Sequence, residues 1–268
     1  MLPSSPIFMQ RCFDLARMGA GTTSPNPMVG AVIVHQNRII GEGYYKKDGG
    51  PHAEVMAVNS VADQDRHLLQ QSTIYVSLEP CNIYGRTPPC SKLILESGIP
   101  HLVVASGDLT EGVNGSGLAL LKENGVKVEV GLLAKQGEQL SAYRNIYVSQ
   151  NRPYVLLKYA QTKNGFLAPQ PARPFWLTNA YSKRLVHKWR IDTDAILIGS
   201  GTARTDNPAL TARHFPGKQP TRIVIDRNAS LKDDLQLFDG QHPTIVYTAR
   251  PKENQKNLRF IAHDFSTE

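Results

Sequence analysis

The sequence predicts an α/β protein of two domains, on three observations. Its 268 residues exceed one average domain and suit two, because a single hydrophobic core serves roughly 100–200 residues. Apolar runs rich in Val and Ile alternate with amphipathic stretches, and the segment Ser149-Gln150-Asn151-Arg152-Pro153 interrupts that alternation near the middle. With 41% hydrophobic and 20% charged residues the chain is of ordinary globular composition and should fold without disulfide staples. The boundary is set at 148/149, giving domains over 1–148 and 149–268.

Taken in order, Phe8, Cys12, Leu15 and Ala16 recur at helical spacing, which predicts an amphipathic helix from Pro6 that Gly19 and Gly21 stop. MVGAVIV and RIIGEGYY, separated by His35-Gln36-Asn37, read as a hairpin. A helix begins near His52. The rest of this half repeats one unit: strand STIYVSLEP, helix SKLILESG, strand HLVVASGD, helix GLALLKENG and strand VKVEVGLL. Gly98 and Gly125 mark the helix ends, and the alternation implies parallel strands flanked by helices. A polar helical stretch, LAKQGEQLSAYRN, leads to the break. Beyond it come strands PYVLLKYA, DAILIGS, TRIVIDR and TIVYTA and one clear helix, AYSKRLVHKWR.

Charge and cysteine content narrow the function classes. The net charge is +7, yet no Lys/Arg block exceeds two residues, so the scattered basic residues suit a phosphorylated small molecule equally well, and a nucleic-acid partner is not expected. No segment approaches the roughly 18 consecutive apolar residues of a membrane span, and the N-terminus reads as a short helix, without the features of a signal peptide. The expectation is therefore a cytoplasmic protein with no membrane partner. Three cysteines make no disulfide framework and point to metal binding or chemistry.

The chemistry-bearing constellation is His52-Ala53-Glu54, followed after a strand by Pro80-Cys81 and then Cys90. One His and two Cys leave the fourth tetrahedral position of a zinc ion open to water, whose pKa the metal lowers toward about 7, while a nearby Glu that is not a ligand moves protons. Cys90 opens a helix, whose positive dipole end favours a thiolate. Two isolated cysteines and a histidine would ordinarily be apolar core and surface. Order and context favour His52, Cys81 and Cys90 as zinc ligands and Glu54 as the proton shuttle. The spacing is unusual, with eight residues (82–89) between the cysteines, so the insert must be a loop.

PNPMVGAVIV (25–34), GPHAEVMA (50–57) and LEPCNIYGRTPPC (78–90) resemble the bifunctional deaminase/reductase of riboflavin biosynthesis. The resemblance implies a cytidine-deaminase-like αβα sandwich that removes the 2-amino group of a phosphoribosylated diaminopyrimidinone. It also implies that Asn26 binds substrate, that Arg86 contacts its phosphate, and that the enzyme is a homo-oligomer, a dimer or tetramer. Some positions depart from the family: Ile83 and Tyr45 stand where it usually has histidines, and Asp108-Leu109-Thr110-Glu111 replaces Asp-Pro-Asn-Pro.

The second half resembles the family's reductase in RPYVLLKYAQTKNGFLA, WLTNAYSKRLVHKWR, DAILIGSGTARTDNPALTAR and TRIVIDR. That implies a dihydrofolate-reductase-like α/β domain using NADPH to open the ribose. Lys158, Trp176, Thr202 and Asp206 would line the NADPH site, and Arg190, Leu210 and Arg213 would hold the sugar phosphate. Thr162-Lys163-Asn164-Gly165 replaces Ser-x-Asp-Gly, and the chain stops before the family's last strands. The expectation is a domain lacking its C-terminal part: either the sequence is incomplete, or reduction is weakened or absent. Two rival readings remain open: a deaminase of another pyrimidine, pterin or flipped nucleic-acid base, and a non-catalytic binding protein. The GRTPP loop and the absence of a basic stretch argue against a nucleic-acid substrate. Retention of Glu54, which zinc binding alone would not need, argues against a mere binding protein.

Overall fold

The computed structural model describes residues 4–171 and 173–266. The chain divides into two compact units between Leu156 and Leu157. The first runs through α1 (Pro6–Arg17), β1 (Gly30–His35), β2 (Arg38–Tyr44), α2 (Ala53–Asn59), β3 (Thr73–Val76) and α3 (Cys90–Glu96). It continues with β4 (His101–Val104), α4 (Ser116–Glu123), β5 (Lys127–Val130), α5 (Ala134–Leu140) and α6 (Ala142–Gln150). The expected helices and strands of this half all form. A 3-10 segment, Asp63–Gln71, joins α2 to β3, and the polar stretch before the break is two helices, of which α6 runs past residue 148.

The strands pair in the order β2-β1-β3-β4-β5, antiparallel from β2 to β3 and parallel onward. The hairpin turn works because Gln36 and Asn37 both adopt positive φ, 46° and 64°, the conformation a two-residue hairpin requires. Side chains alternate across the sheet. Ala31, Ile33, Ile74 and Val104 pack with Ala57, Ile94 and Leu121 of α2, α3 and α4. Val32, Val34 and Val103 pack with Met9, Phe13 and Leu140 of α1 and α5. Two buried faces make the αβα sandwich that the sequence implied, and they explain why the strands read as nearly continuous apolar runs.

The second unit carries α7 (Ala180–Asp192), β6 (Ala195–Gly199), α8 (Ser200–Asp206), β7 (Thr221–Ile225), β8 (Thr244–Thr248) and β9 (Leu258–Ala262). Its sheet, β6-β7-β8-β9, is entirely parallel. One face packs Val224 and Val246 against Ala203 of α8, Leu231 and Leu237. At its buried end Arg222, only 1% exposed, donates to Thr244 Oγ1, Gln236 O, Asp239 Oδ1 and His242 O at 2.8–2.9 Å. Its guanidinium holds the Asp239 carboxyl below the usual carboxylate range. The expectation of a strand over PYVLLKYA is corrected here: residues 153–159 are irregular and exposed. Hydrophobicity and β propensity do not make a strand without a ladder partner, and this run pairs with none of the described strands.

Candidate active site

The three predicted ligands come from three segments and meet. His52 is the N-cap of α2, Cys90 is the first residue of α3, and Cys81 lies in the loop after β3. Gly41 and Gly43 bring α2 close to β2: a Cβ on Gly43 would lie 2.5 Å from Met56 Cβ, and one on Gly41 2.5 Å from Ala57 O. Nδ1 of His52 sits 3.5 Å from Cys81 Sγ and 3.3 Å from Cys90 Sγ. Ligand atoms around tetrahedral zinc lie roughly 3.5–3.8 Å apart, from bonds of about 2.0–2.3 Å. The cluster therefore fits zinc, and among the described residues it alone gathers three such side chains within 4.8 Å.

Electrostatics favour a cation at this point. Cys81 is pulled down to about 4, first by the Cys90 thiol hydrogen-bonded to its sulfur and then by His52 and the Cys90 backbone N–H. The Cys90 thiol is pushed up by the Cys81 thiolate and by burial, while His52 is raised by the same sulfur. Glu54, one residue into α2 and 3% exposed, is raised to about 6 by loss of solvent. A carboxyl titrating near neutrality can both accept and deliver a proton.

A pocket opens beside these groups, lined by His52, Glu54 and Cys81 together with Asn26, Tyr45 and Ile83. Asn26 Nδ2 donates to Tyr45 Oη at 3.1 Å and Asp48 Oδ1 at 2.8 Å. Arg86 pairs with the same Asp48 at 3.4 Å, exposed and outside the pocket lining. Sequence reasoning missed Glu79 and Arg144, which also line the pocket. Glu79 stood in plain view in LEPC. Arg144, a single basic residue in a polar helix, carried no signal.

Residues 4–106 match the cytidine and deoxycytidylate deaminase zinc-binding region, and residues 153–266 match the RibD C-terminal domain. The riboflavin biosynthesis protein RibD of Aquifex aeolicus is 38% identical over 254 residues, covering 94% of this chain and 70% of that protein. The chain belongs to the RibD family. RibD of Bacillus amyloliquefaciens is 37% identical, over 95% of this chain and 68% of its own. The crystal structure of a diaminohydroxyphosphoribosylaminopyrimidine deaminase/5-amino-6-(5-phosphoribosylamino)uracil reductase from Thermotoga maritima superposes with a TM-score of 0.91 at 37% identity, over 97% of this chain and 74% of that one. Acinetobacter baumannii RibD gives a TM-score of 0.85 at 32% identity, covering 97% of this chain and 74% of that one.

The RibD C-terminal domain gathers its predicted residues less tightly. Arg190, near the end of α7, donates to Thr211 O at 2.7 Å, beside buried Leu210 and exposed Arg213. Burial and the charge of Arg213 lower the Arg190 pKa. Trp176 is 68% exposed and lies under Lys183 Nζ, 4.3 Å from the ring centre. Thr202 and Asp206 lie exposed on α8, and Lys158 is exposed in the irregular run.

His187, one turn before Arg190, is 2% exposed, packs edge-on against His214 at 4.5 Å, and is held down to about 4 by burial and then by the charge of Arg190. Its unfolded pKa is about 6.5, so the unfolded chain takes up the proton first as pH falls. His187 therefore contributes stability above pH 6.5 that is lost as pH drops from about 6.5 toward about 4. Both tryptophans, Trp176 and Trp189, lie in this unit, so their fluorescence reports its unfolding. The stability advantage of wild type over His187→Gln is expected to shrink by about 1–3 kcal/mol across that window. A gap independent of pH would refute the assignment.

Proposed function

We propose that this RibD-family chain acts in riboflavin biosynthesis, hydrolysing the 2-amino group from a phosphoribosylated diaminopyrimidinone, and that its second unit is the NADPH-dependent reductase of the ribosyl group. One observation carries the first part: an imidazole and two sulfurs converge beside a buried carboxyl. His52, Cys81 and Cys90 would hold zinc, which when bound supplies the Lewis acidity that makes water nucleophilic at neutral pH. Glu54 takes the proton of the attacking water and passes it to the ring nitrogen. It then takes the remaining proton from the hydroxyl of the addition product and delivers it to the departing amine, so that a C=O bond replaces the C–N bond and ammonia leaves.

Asn26 has its amide N–H groups committed to Tyr45 and Asp48, which leaves its carbonyl oxygen to accept from substrate. Arg86, exposed on the GRTPP loop, is the contact for the sugar phosphate. In the second unit Lys158, Trp176, Thr202 and Asp206 are assigned to NADPH, and Arg190, Leu210 and Arg213 to the product's phosphate. Two neighbouring arginines suit one phosphate.

The domains are proposed as 1–148 and 149–268, in a cytoplasmic homo-oligomer. Free Cys12, Cys81 and Cys90 suit a reducing compartment. No helix among the described residues is long and apolar enough to cross a membrane. Incubation with the diaminopyrimidinone phosphate, with and without NADPH, tests the reading by product mass. Replacement of one amine by oxygen is expected without NADPH, and a further gain of two hydrogens with it. An unchanged substrate would overturn the reaction, and loss of the amine alone under both conditions would overturn the reductase half.

A further inference from the structure

Among the described residues, Arg144 is the only lysine or arginine lining the deaminase pocket. It sits on α6 next to Tyr143, whose Oη donates to Asn26 O at 2.8 Å and anchors the helix. The guanidinium is half-buried. Nη2 donates to Thr110 Oγ1 at 3.1 Å, while Nε is buried and meets no acceptor among the described residues. A guanidinium has five N–H donors and no acceptor, and a desolvated polar group without a partner is costly.

The pocket's carboxyl groups are partly engaged. Glu79 Oε2 accepts from the backbone N–H groups of Gly115 and Asp108 while its Oε1 is buried without a partner among the described residues, and Asp108 Oδ1 accepts from Thr110 N and Oγ1. None of them forms an ion pair with Arg144 among the described residues. With Glu54, Glu79 and Asp108 all lining the cavity, a phosphate dianion would be repelled there. A neutral ring oxygen carrying partial negative charge would be welcomed.

We infer that Arg144 donates to the ring carbonyl of the pyrimidinone and sets the deaminase's preference for an oxo over an amino group at that ring position. The inference rests on the proposed deamination. An amino group there would set donor against donor, and a site built to hydrogen-bond a group rejects an analogue that lacks it.

The test compares two phosphoribosylated substrates, the diaminopyrimidinone and its counterpart with the carbonyl replaced by an amine, by ammonia release. Wild type is expected to prefer the oxo compound. Arg144→Met should cut that preference roughly 10- to 100-fold, chiefly through KM for the oxo compound, while zinc content and the unfolding midpoint stay at wild-type values. Arg144→Lys, which keeps a donor-only cation, should restore part of it. An unchanged oxo/amino ratio in Arg144→Met overturns the inference, as does a loss of zinc equal to the loss of activity.

Calorimetric titration of both compounds into Glu54→Gln protein, where turnover is blocked, reads the same ratio as affinity. A binding preference abolished by adding Arg144→Met supports the inference even if wild type turns over neither compound, which would sink the reaction alone. Absence of any binding preference sinks the inference.

Discussion

Replacing Glu54 by Gln is expected to lower the rate of ammonia release by at least about 10²–10⁴-fold, the usual contribution of a positioned proton-transfer group, while bound zinc stays stoichiometric. The two readouts separate because Glu54 is not among the three converging ligand atoms. Gln fills the same space but carries no titrating proton, whereas the native carboxyl titrates at about 6. By contrast, Cys81→Ser removes the thiolate, and metal and activity should disappear together. Turnover within about threefold of wild type in Glu54→Gln would remove the shuttle assigned above, since a positioned proton-transfer group contributes about 10²-fold or more.

Arg222→Met is expected to give the largest loss of stability in the second unit, about 3–5 kcal/mol, the range for breaking a buried charge pair. Four acceptors converge on this one guanidinium. Met fills much of the volume but takes a donor away from two backbone carbonyls, a hydroxyl and the Asp239 carboxylate. The tryptophan transition should move down by on the order of 10 °C or more, with zinc in the first unit unaffected. A shift of a degree or two would mean that water substitutes for the arginine and that the site is less closed than its burial implies.

The sandwich was legible in the sequence because each strand of the first unit is short, apolar and bounded by a turn or a helix. The zinc site was legible because ligand chemistry restricts residue type: His, two Cys and a Glu in that order have few other uses. Arg144 escaped because nothing local distinguishes a pocket-lining arginine from a solvated one. The run over 153–160 misled for a related reason. Its alternation describes a strand that exists only if a neighbour is present to pair with it, and pairing is a property of distant sequence. Helix α8 was passed over because its first turn, Ser200-Gly201-Thr202, is poor in helix formers, and its packing of Ala203 into the core decides the matter. The substituted positions Tyr45 and Ile83 were visible as differences. What Tyr45 does, accepting from both Asn26 Nδ2 and the Gly49 N–H at 3.1 and 2.9 Å, needed coordinates.

Helix α6 has a practical bearing on dissecting the molecule. It ends at Gln150, so excising the first half at the compositional seam after residue 148 would cut through its final turn and let the severed end fray back toward Arg144. A recombinant fragment ending a few residues later keeps the whole element. Otherwise, altered selectivity in the shorter fragment would reflect where the scissors fell, and would be misread as a message passing between the two halves.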